Sequence, residues 1–405
     1  MIIKIAWRNI WRSKLRSFTV MGAVIVGVWA LIFLLSFTAG FINAYINSAI
    51  ENELSHLQLH HPDFKEDQEV VYNLQEATAI ATTLNQLEGV AAHTARSLNN
   101  GMLATSKGSR GIQIRGIQPS KEAKVTQLKE KIVAGNYFGT SNKSNPIIIS
   151  QRLAEKLDLK IKSKVVLTFQ QADGELTSAA FKVIGLYETG NALFEEMMVF
   201  VEQKDLSRLL GADNLVHEIA VLLEDVQQLD SIQQQLTQQF PTALVESYKQ
   251  ISPDVNLYES QMAVSTYLIV FIVMLALIFG IINTMLMAVL ERTRELGMLM
   301  AVGMKRQQVF GMVVLETLFL ALVAAPIGLF LGYLMVSYYG YNGLDLSAYA
   351  AGMDKFGMSD KVYLTLDVAS FFIVTIAVAI TAILASLYPA LKATRLKPVE
   401  AMRHL

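Results

Sequence analysis

Four stretches of this chain are long, apolar and almost free of charge: Phe18–Tyr45, Tyr267–Leu290, Val309–Tyr338 and Val368–Tyr388. Each reaches the roughly 20 residues that a helix needs to cross the hydrocarbon of a bilayer. Charged residues are only 17% of the 405, where a soluble domain has roughly 25%. Between the first two runs lies a polar insert of roughly 200 residues, the size of one or two ordinary domains. The predicted fold class is a membrane α protein with an extracytoplasmic α+β part. Four transmembrane helices are expected, with a large two-part domain inserted between the first and second.

Lys and Arg placement sets the orientation. Lys4, Arg8, Arg12, Lys14 and Arg16 precede the first span; Arg292, Arg294, Lys305 and Arg306 separate the second from the third; Lys392, Arg395, Lys397 and Arg403 follow the fourth. The third-to-fourth loop has Lys355 and Lys361 against Asp345, Asp354, Asp360 and Asp367. The positive-inside rule puts both termini and the 291–308 loop in the cytoplasm, and the insert outside. The first run exceeds the 7–15 apolar residues of a cleaved signal peptide, so a retained helix is expected. Residues 1–17 read as an interfacial helix, basic on one side and carrying Ile3, Trp7, Ile10 and Trp11 on another. A plain topology signal reads equally well there.

The insert alternates strand-like and helix-like pieces. Two strand–helix–strand units flank it, within 46–98 and 216–256, and are expected to pair into one membrane-proximal α+β subdomain. Residues 99–215 are richer in β signals and read as a second subdomain inserted into the first. There, Lys164–Gln170 and Glu175–Gly185 flank Asp173-Gly174, a strong hairpin signal. Residues 18–45 form the first span with a stalk after it; 257–290 form a second stalk and span. The third span is 309–338, with Gly328 and Gly332 as a helix-packing face and a kink expected at Pro326. An outer loop over 339–367, the fourth span over 368–388 and a cytoplasmic tail over 389–405 complete the chain.

Catalytic patterns are missing. The sequence has no GxxxxGK[ST], HExxH or GxSxG. It has no cysteine, which removes disulfides and thiolate chemistry. A net charge of −1 gives no footprint for nucleic acid. His56, Gln58 and His60 alternate onto one strand face, read as solvated rather than metal-binding, since zinc needs three or four converging ligands. Glu316 reads as a structural carboxylate satisfied by Asn283 or Arg292. The polar stretch Glu291 to Gln308, ERTRELGMLMAVGMKRQQ, reads as a short amphipathic helix parallel to the membrane that fits a cleft on a partner.

Three segments carry a resemblance: MIIKIAWRNIWRSKLRS, NTMLMAVLERTRELGMLMAVGMKRQQVFGMVVLET and YPALKATRLKPVEAMRHL. They resemble ABC transporter permeases of the FtsX/MacB/LolCE type. HLQLHHPDF and IQIRGIQPSKEAKV resemble, more loosely, lipoprotein-releasing permeases. The resemblance implies a periplasmic domain in porter and inserted parts, a bacterial inner-membrane location and a second permease subunit, identical or homologous. It also implies a cytoplasmic ATPase dimer that binds ATP and Mg, with no cofactor on this chain. Because only a short basic segment precedes the first span, that ATPase is expected on a separate chain. In the family the loop after the second span is the coupling helix, which assigns Arg292, Glu295, Leu296 and Gly297 to ATPase contact. Lipoprotein cargo would place Phe37, Phe41, Tyr45, Met262 and Tyr267 along a lipid route, with a periplasmic acceptor beyond; ordinary interfacial aromatics are the alternative reading. Export of peptides or small molecules, and regulation of a cell-wall hydrolase, are the competing functions.

Overall fold

The computed structural model describes residues 2–12, 14–139, 145–212, 215–349 and 361–395. The tail expected beyond 395 and the 350–360 part of the outer loop lie outside the described residues. Two compact units emerge, one of residues up to 42, 259–345 and from 361 on, the other of 43–258 with 346–360.

The first unit is helical: α1 (Ile2–Arg12), α2 (Lys14–Ala49), α3 (Pro253–Glu291), α4 (Thr293–Ala301), α5 (Arg306–Asn342) and α6 (Val368–Thr394). Among the described residues, four helices are long and apolar enough to cross a membrane: Ser17–Leu54, Val255–Glu291, Arg306–Asn342 and Val368–Thr394. Their apolar character extends all round. Val28, Leu31, Ile32, Ile281, Val313, Leu320 and Val378 are buried against one another, while Val26, Phe271, Phe279, Phe330 and Phe372 point outward and are exposed. An apolar exterior over an apolar core suits lipid as the surrounding solvent. Close helix approach comes from missing side chains. A Cβ on Gly332 would lie 2.5 Å from Ile32 Cδ1, and one on Gly328 would lie 2.9 Å from Val28 Cβ. The small-residue face expected of α5 thus seats α2. Replacing Gly332 with leucine should cost about 1–3 kcal/mol through overpacking. Trp29 on α2 makes tryptophan-monitored thermal unfolding in detergent the direct check.

The second unit is built on one sheet: β1 (Leu57–His60), β2 (Val90–Thr105), β3 (Gly108–Ile117), β4 (Ile132–Gly135), β5 (Pro146–Ser150), β6 (Lys164–Gln170), β7 (Leu176–Tyr187), β8 (Met198–Glu202), β9 (Glu218–Leu223) and β10 (Leu244–Ser247). The order is β10-β1-β9-β2-β3-β8-β5-β7-β4, with β6 pairing β2 and β7. Strand alternation splits the isoleucine run of β5: Ile147 and Ile149 enter one core with Leu167, Phe169 and Phe181, and Ile148 enters another with Tyr187 and Phe200. The β6–β7 hairpin turns at Gly174, whose φ of 87° suits glycine.

Two expectations need revision. The boundary drawn between 98 and 99 falls inside β2, which pairs β9 along Val90–Arg96 and β3 along Arg96–Thr105. Asn99-Asn100-Gly101 looks like a turn, but a Cβ on Gly101 would lie 2.7 Å from the Thr168 carbonyl oxygen. The glycine lets β6 approach, and the Asn99 side chain donates to the Gln170 carbonyl at 2.8 Å. The face holding His56, Gln58 and His60 is buried, not solvated. β1 lies between β10 and β9, and His56 Nδ1 accepts the Leu223 N–H at 2.9 Å.

Candidate functional site

The polar stretch after α3 folds as the sequence requires. Glu291 ends one helix, Arg292 sits at the start of α4, and Gly303, at φ 109°, ends the following turn. Lys305 then opens α5, its N–H donating to Gln308 Oε1 at 2.9 Å. α4 lies between two membrane-length helices and has two distinct faces. Leu296 is 3% exposed within the helical core and Gly297 is buried too, while Arg294, Met298 and Val302 face outward.

A chain of ion pairs fastens this segment. Arg12 Nη2 of α1 meets Glu295 Oε1 at 2.9 Å. Glu295 Oε2 takes Arg292 Nε at 3.2 Å, and Arg292 Nη1 reaches Glu316 Oε1 at 3.1 Å and Oε2 at 3.3 Å. Three helices, α1, α4 and α5, are thereby linked through one largely buried guanidinium. α1 packs beside it. Ala6 and Ile10 are buried, Trp7 stands edge-on to Phe319 at 5.7 Å, and Asn9 Nδ2 lies 3.9 Å from Met312 Sδ.

Of the four residues assigned to partner contact, then, Arg292 and Glu295 belong to the internal network, Glu295 remaining half-exposed. Leu296 and Gly297 form the inward face, where an amphipathic turn buries its apolar side in the chain's own core. Arg294 and Met298, passed over in the sequence, hold the outward positions at the same helical period.

The lipid-route candidates fall on two helices. Trp29, Phe33, Phe37 and Phe41 stack at four-residue steps along α2, with ring centroids 6.4, 6.0 and 6.0 Å apart. Tyr45, near the helix end, lines a cleft of about 930 Å³ in the second unit together with Leu193, Phe194 and Met197. On α3, Met262 is half-buried and Tyr267 is 68% exposed.

The second unit holds its own buried charges. Arg96, fully buried on β2, donates to Glu122 Oε1 and Oε2 at 2.8 and 3.1 Å and to Glu218. Burial pushes the Glu218 carboxyl up, but Arg96 and Arg115 together hold it below its usual range. No local sequence signal marks this triad, since its members lie far apart in the chain. Among the described residues, no group of three or more His, Cys, Asp or Glu side chains is arranged to hold a metal ion.

Residues 17–239 match the MacB-like periplasmic core domain, and 267–398 match the FtsX-like permease C-terminal region. The lipoprotein-releasing system transmembrane protein LolC of Neisseria meningitidis is 24% identical over 78% of this chain and 79% of that protein. LolC of Xylella fastidiosa is 20% identical over 82% of each. A macrolide export ATP-binding/permease protein MacB, from Chlorobium luteolum, is 34% identical over 31% of this chain and 16% of its own length. The periplasmic region of MacB from Actinobacillus actinomycetemcomitans superimposes with a TM-score of 0.36 at 11% identity, over 51% of this chain and 95% of that structure. With four membrane-length helices, a β-rich insert after the first of them, and matches to both family models, the chain belongs to the ABC transporter permeases of the FtsX, MacB and LolC type.

Proposed function

We propose that this permease transmits force from a cytoplasmic ATPase to its inserted domain, and so extracts lipoproteins from the inner membrane. The observation that carries the reading is the extent of the LolC likeness, 78–82% of this chain, spanning membrane helices and insert together. The ATPase lies outside these 405 residues, which contain no phosphate-binding loop. Both termini and α4 face the cytoplasm and the insert faces the periplasm, on the Lys and Arg placement.

Helix length supports a lever. At about 1.5 Å per residue, the 38 residues of Ser17–Leu54 extend about 57 Å, against about 30 Å of hydrocarbon. ATP-driven closure of the motor pushes on α4, and the ion pairs pass that push to α1 and α5. The α2 and α3 helices carry it outward. A lipid anchor cannot cross open water, since each methylene exposed costs about 0.8 kcal/mol. The cargo chains therefore slide along the aromatic stripe of α2, past Phe37, Phe41 and Tyr45, and along Met262 and Tyr267 of α3. A photo-crosslinker at Phe41 is expected to capture lipoprotein during turnover; none captured over many turnovers would reject this route.

Outward Arg294 and Met298 are the motor's grip. Arg294→Glu with Met298→Glu should cut ATP-driven lipoprotein release on the order of tenfold, as loss of interface anchors does. Release into a soluble acceptor from proteoliposomes measures it, and wild-type release would refute the grip. The MacB likeness, higher in identity over a shorter stretch, favours export of a small molecule as the second reading. Normal lipoprotein sorting with lost drug efflux in a deletion strain would select it.

A further inference from the structure

Four neighbouring strands of the second unit, β1, β9, β2 and β3, present a polar sheet face that the transport reading does not use. On β3, Gln113 and Arg115 share the face opposite core residues Ile112 and Ile114. Gln58 and His60 of β1, Glu218 of β9 and Leu98 of β2 complete the floor of a cavity of about 330 Å³. Glu53, Phe64, Lys65 and Ile251 also line it.

The cavity holds two unmet hydrogen-bonding needs of opposite kind. Arg115 is 3% exposed, yet its Nε and Nη1 have no hydrogen-bond partner. Its guanidinium carbon stands 6.0 Å from the Phe194 ring centroid. Glu122 and Glu218 are engaged on Arg96 and Glu246 on Lys65 at 2.6 Å, while Glu53, whose carboxyl burial pushes above its usual pKa, also lines the cavity. Burial, and then Arg96, push the Arg115 pKa below its usual value by more than Glu218, Glu53 and Glu122 raise it. The protein's own anions thus leave this cation under-compensated.

His60 is the second need. Gln58 Nε2 donates to the Glu53 and Leu54 carbonyls at 3.3 and 2.9 Å, which turns Gln58 Oε1 toward His60 Nε2 at 3.0 Å. The His60 proton therefore sits on Nε2. Burial lowers its pKa, against smaller upward pulls from Glu218, Glu246 and the His217 backbone. Nδ1, buried and without a partner, is a bare acceptor. A buried group in either condition is costly unless something completes it.

We propose that this cavity binds a carboxylate bearing an amide N–H a few atoms away, its carboxylate on Arg115 and its N–H donating to His60 Nδ1. A peptide C-terminus and a free N-acyl amino acid share that chemistry. The inner cavity suits a residue of either kind, and it shares Glu53, Leu54, Gln68, Gln113 and Ile251 with the lining of the 930 Å³ cleft, where a longer chain can lie.

Calorimetric titration of the full chain in maltoside micelles tests this with N-acetylglycine, its amide, and the tripeptide acetyl-Ala-Ala-Gly. Both acids are expected to bind, and the amide to bind on the order of tenfold or more weakly, because a charge-assisted hydrogen bond is lost. A tighter tripeptide identifies a polypeptide terminus; equal or weaker binding identifies a free small acid. Arg115→Met should abolish binding while raising or holding the unfolding midpoint of the ligand-free protein, where a structural arginine would lower it. Equal binding of acid and amide, no heat from either acid, binding that survives Arg115→Met, or a lowered midpoint overturns the proposal. The acid-against-amide comparison is made on the wild-type chain and stands even if the variant fails to fold.

Discussion

Replacing Arg96 by leucine is expected to destabilise the second unit by about 3–5 kcal/mol, because it strands Glu122 and Glu218 in a site closed to water. The two carboxylates are 0% and 3% exposed, so solvent cannot substitute for the guanidinium. Converting all three residues to leucine should recover most of the loss, since apolar packing of similar volume replaces a buried ionic group at little or no cost. Acidification separates the proteins further. Glu218 has a folded pKa below its usual value, so its contribution is full above about pH 4.5 and fades as pH falls through the folded value. Without Arg96 the main downward influence is gone and burial raises that pKa, so the variant gains stability relative to wild type over the same descent. Tryptophan emission will not report this, because Trp7, Trp11 and Trp29 all belong to the first unit. Hydrogen exchange of β2 and β9 amides across pH 3–6 is the proper measurement. Unchanged protection in Arg96→Leu would mean that the triad contributes nothing to the sheet.

What the sequence discloses depends on whether the signal is local. The membrane helices are legible because hydropathy accumulates along the chain, as in Val368 to Tyr388, with no need of a partner. Asp173-Gly174 is legible because a two-strand turn encodes itself within a few residues. The meaning of Asn99-Asn100-Gly101 is not local. The same three residues that would make a turn permit β6 to cross β2, and only the strand arriving from residue 164 onward distinguishes the cases. The buried face of His56, Gln58 and His60 likewise depends on β9 and β10, far along the chain. At α4 the amphipathic period is readable but not its sign. Leu296 is the apolar side of a short helix, and either a partner or the chain's own core can receive such a side; Met285, Met312 and Val313 of the long helices do so here. Glu316 is the easier case, because a carboxylate inside an apolar run demands a donor and Arg292 is the first cation after α3.

Arg292→Leu should have the second large effect, again about 3–5 kcal/mol, by removing the guanidinium from Glu316, whose side chain is 6% exposed. Thermal unfolding in micelles followed by tryptophan emission suits this variant, since Trp7 stands against Phe319, one turn of α5 beyond Glu316. The informative protein is the double variant Arg292→Leu with Glu316→Leu. It removes both charges, so the fold should regain most of its stability as leucines pack among Met285, Val289 and Met312. Glu295 then keeps only Arg12, at the exposed surface, where an ion pair contributes no more than about 1 kcal/mol. The α4 helix would still be present but no longer tied to α5. If the ion-pair chain conducts the motor's push, the double variant folds like wild type, assembles with the ATPase and hydrolyses ATP, yet releases lipoprotein on the order of tenfold more slowly per ATP consumed. If release per ATP is unaltered, the pairs serve the fold alone and the push travels through apolar packing of Leu296 instead. Stability and coupling thus part company in one molecule, which the single substitution cannot achieve because its damage to the helical core would slow transport for either reason.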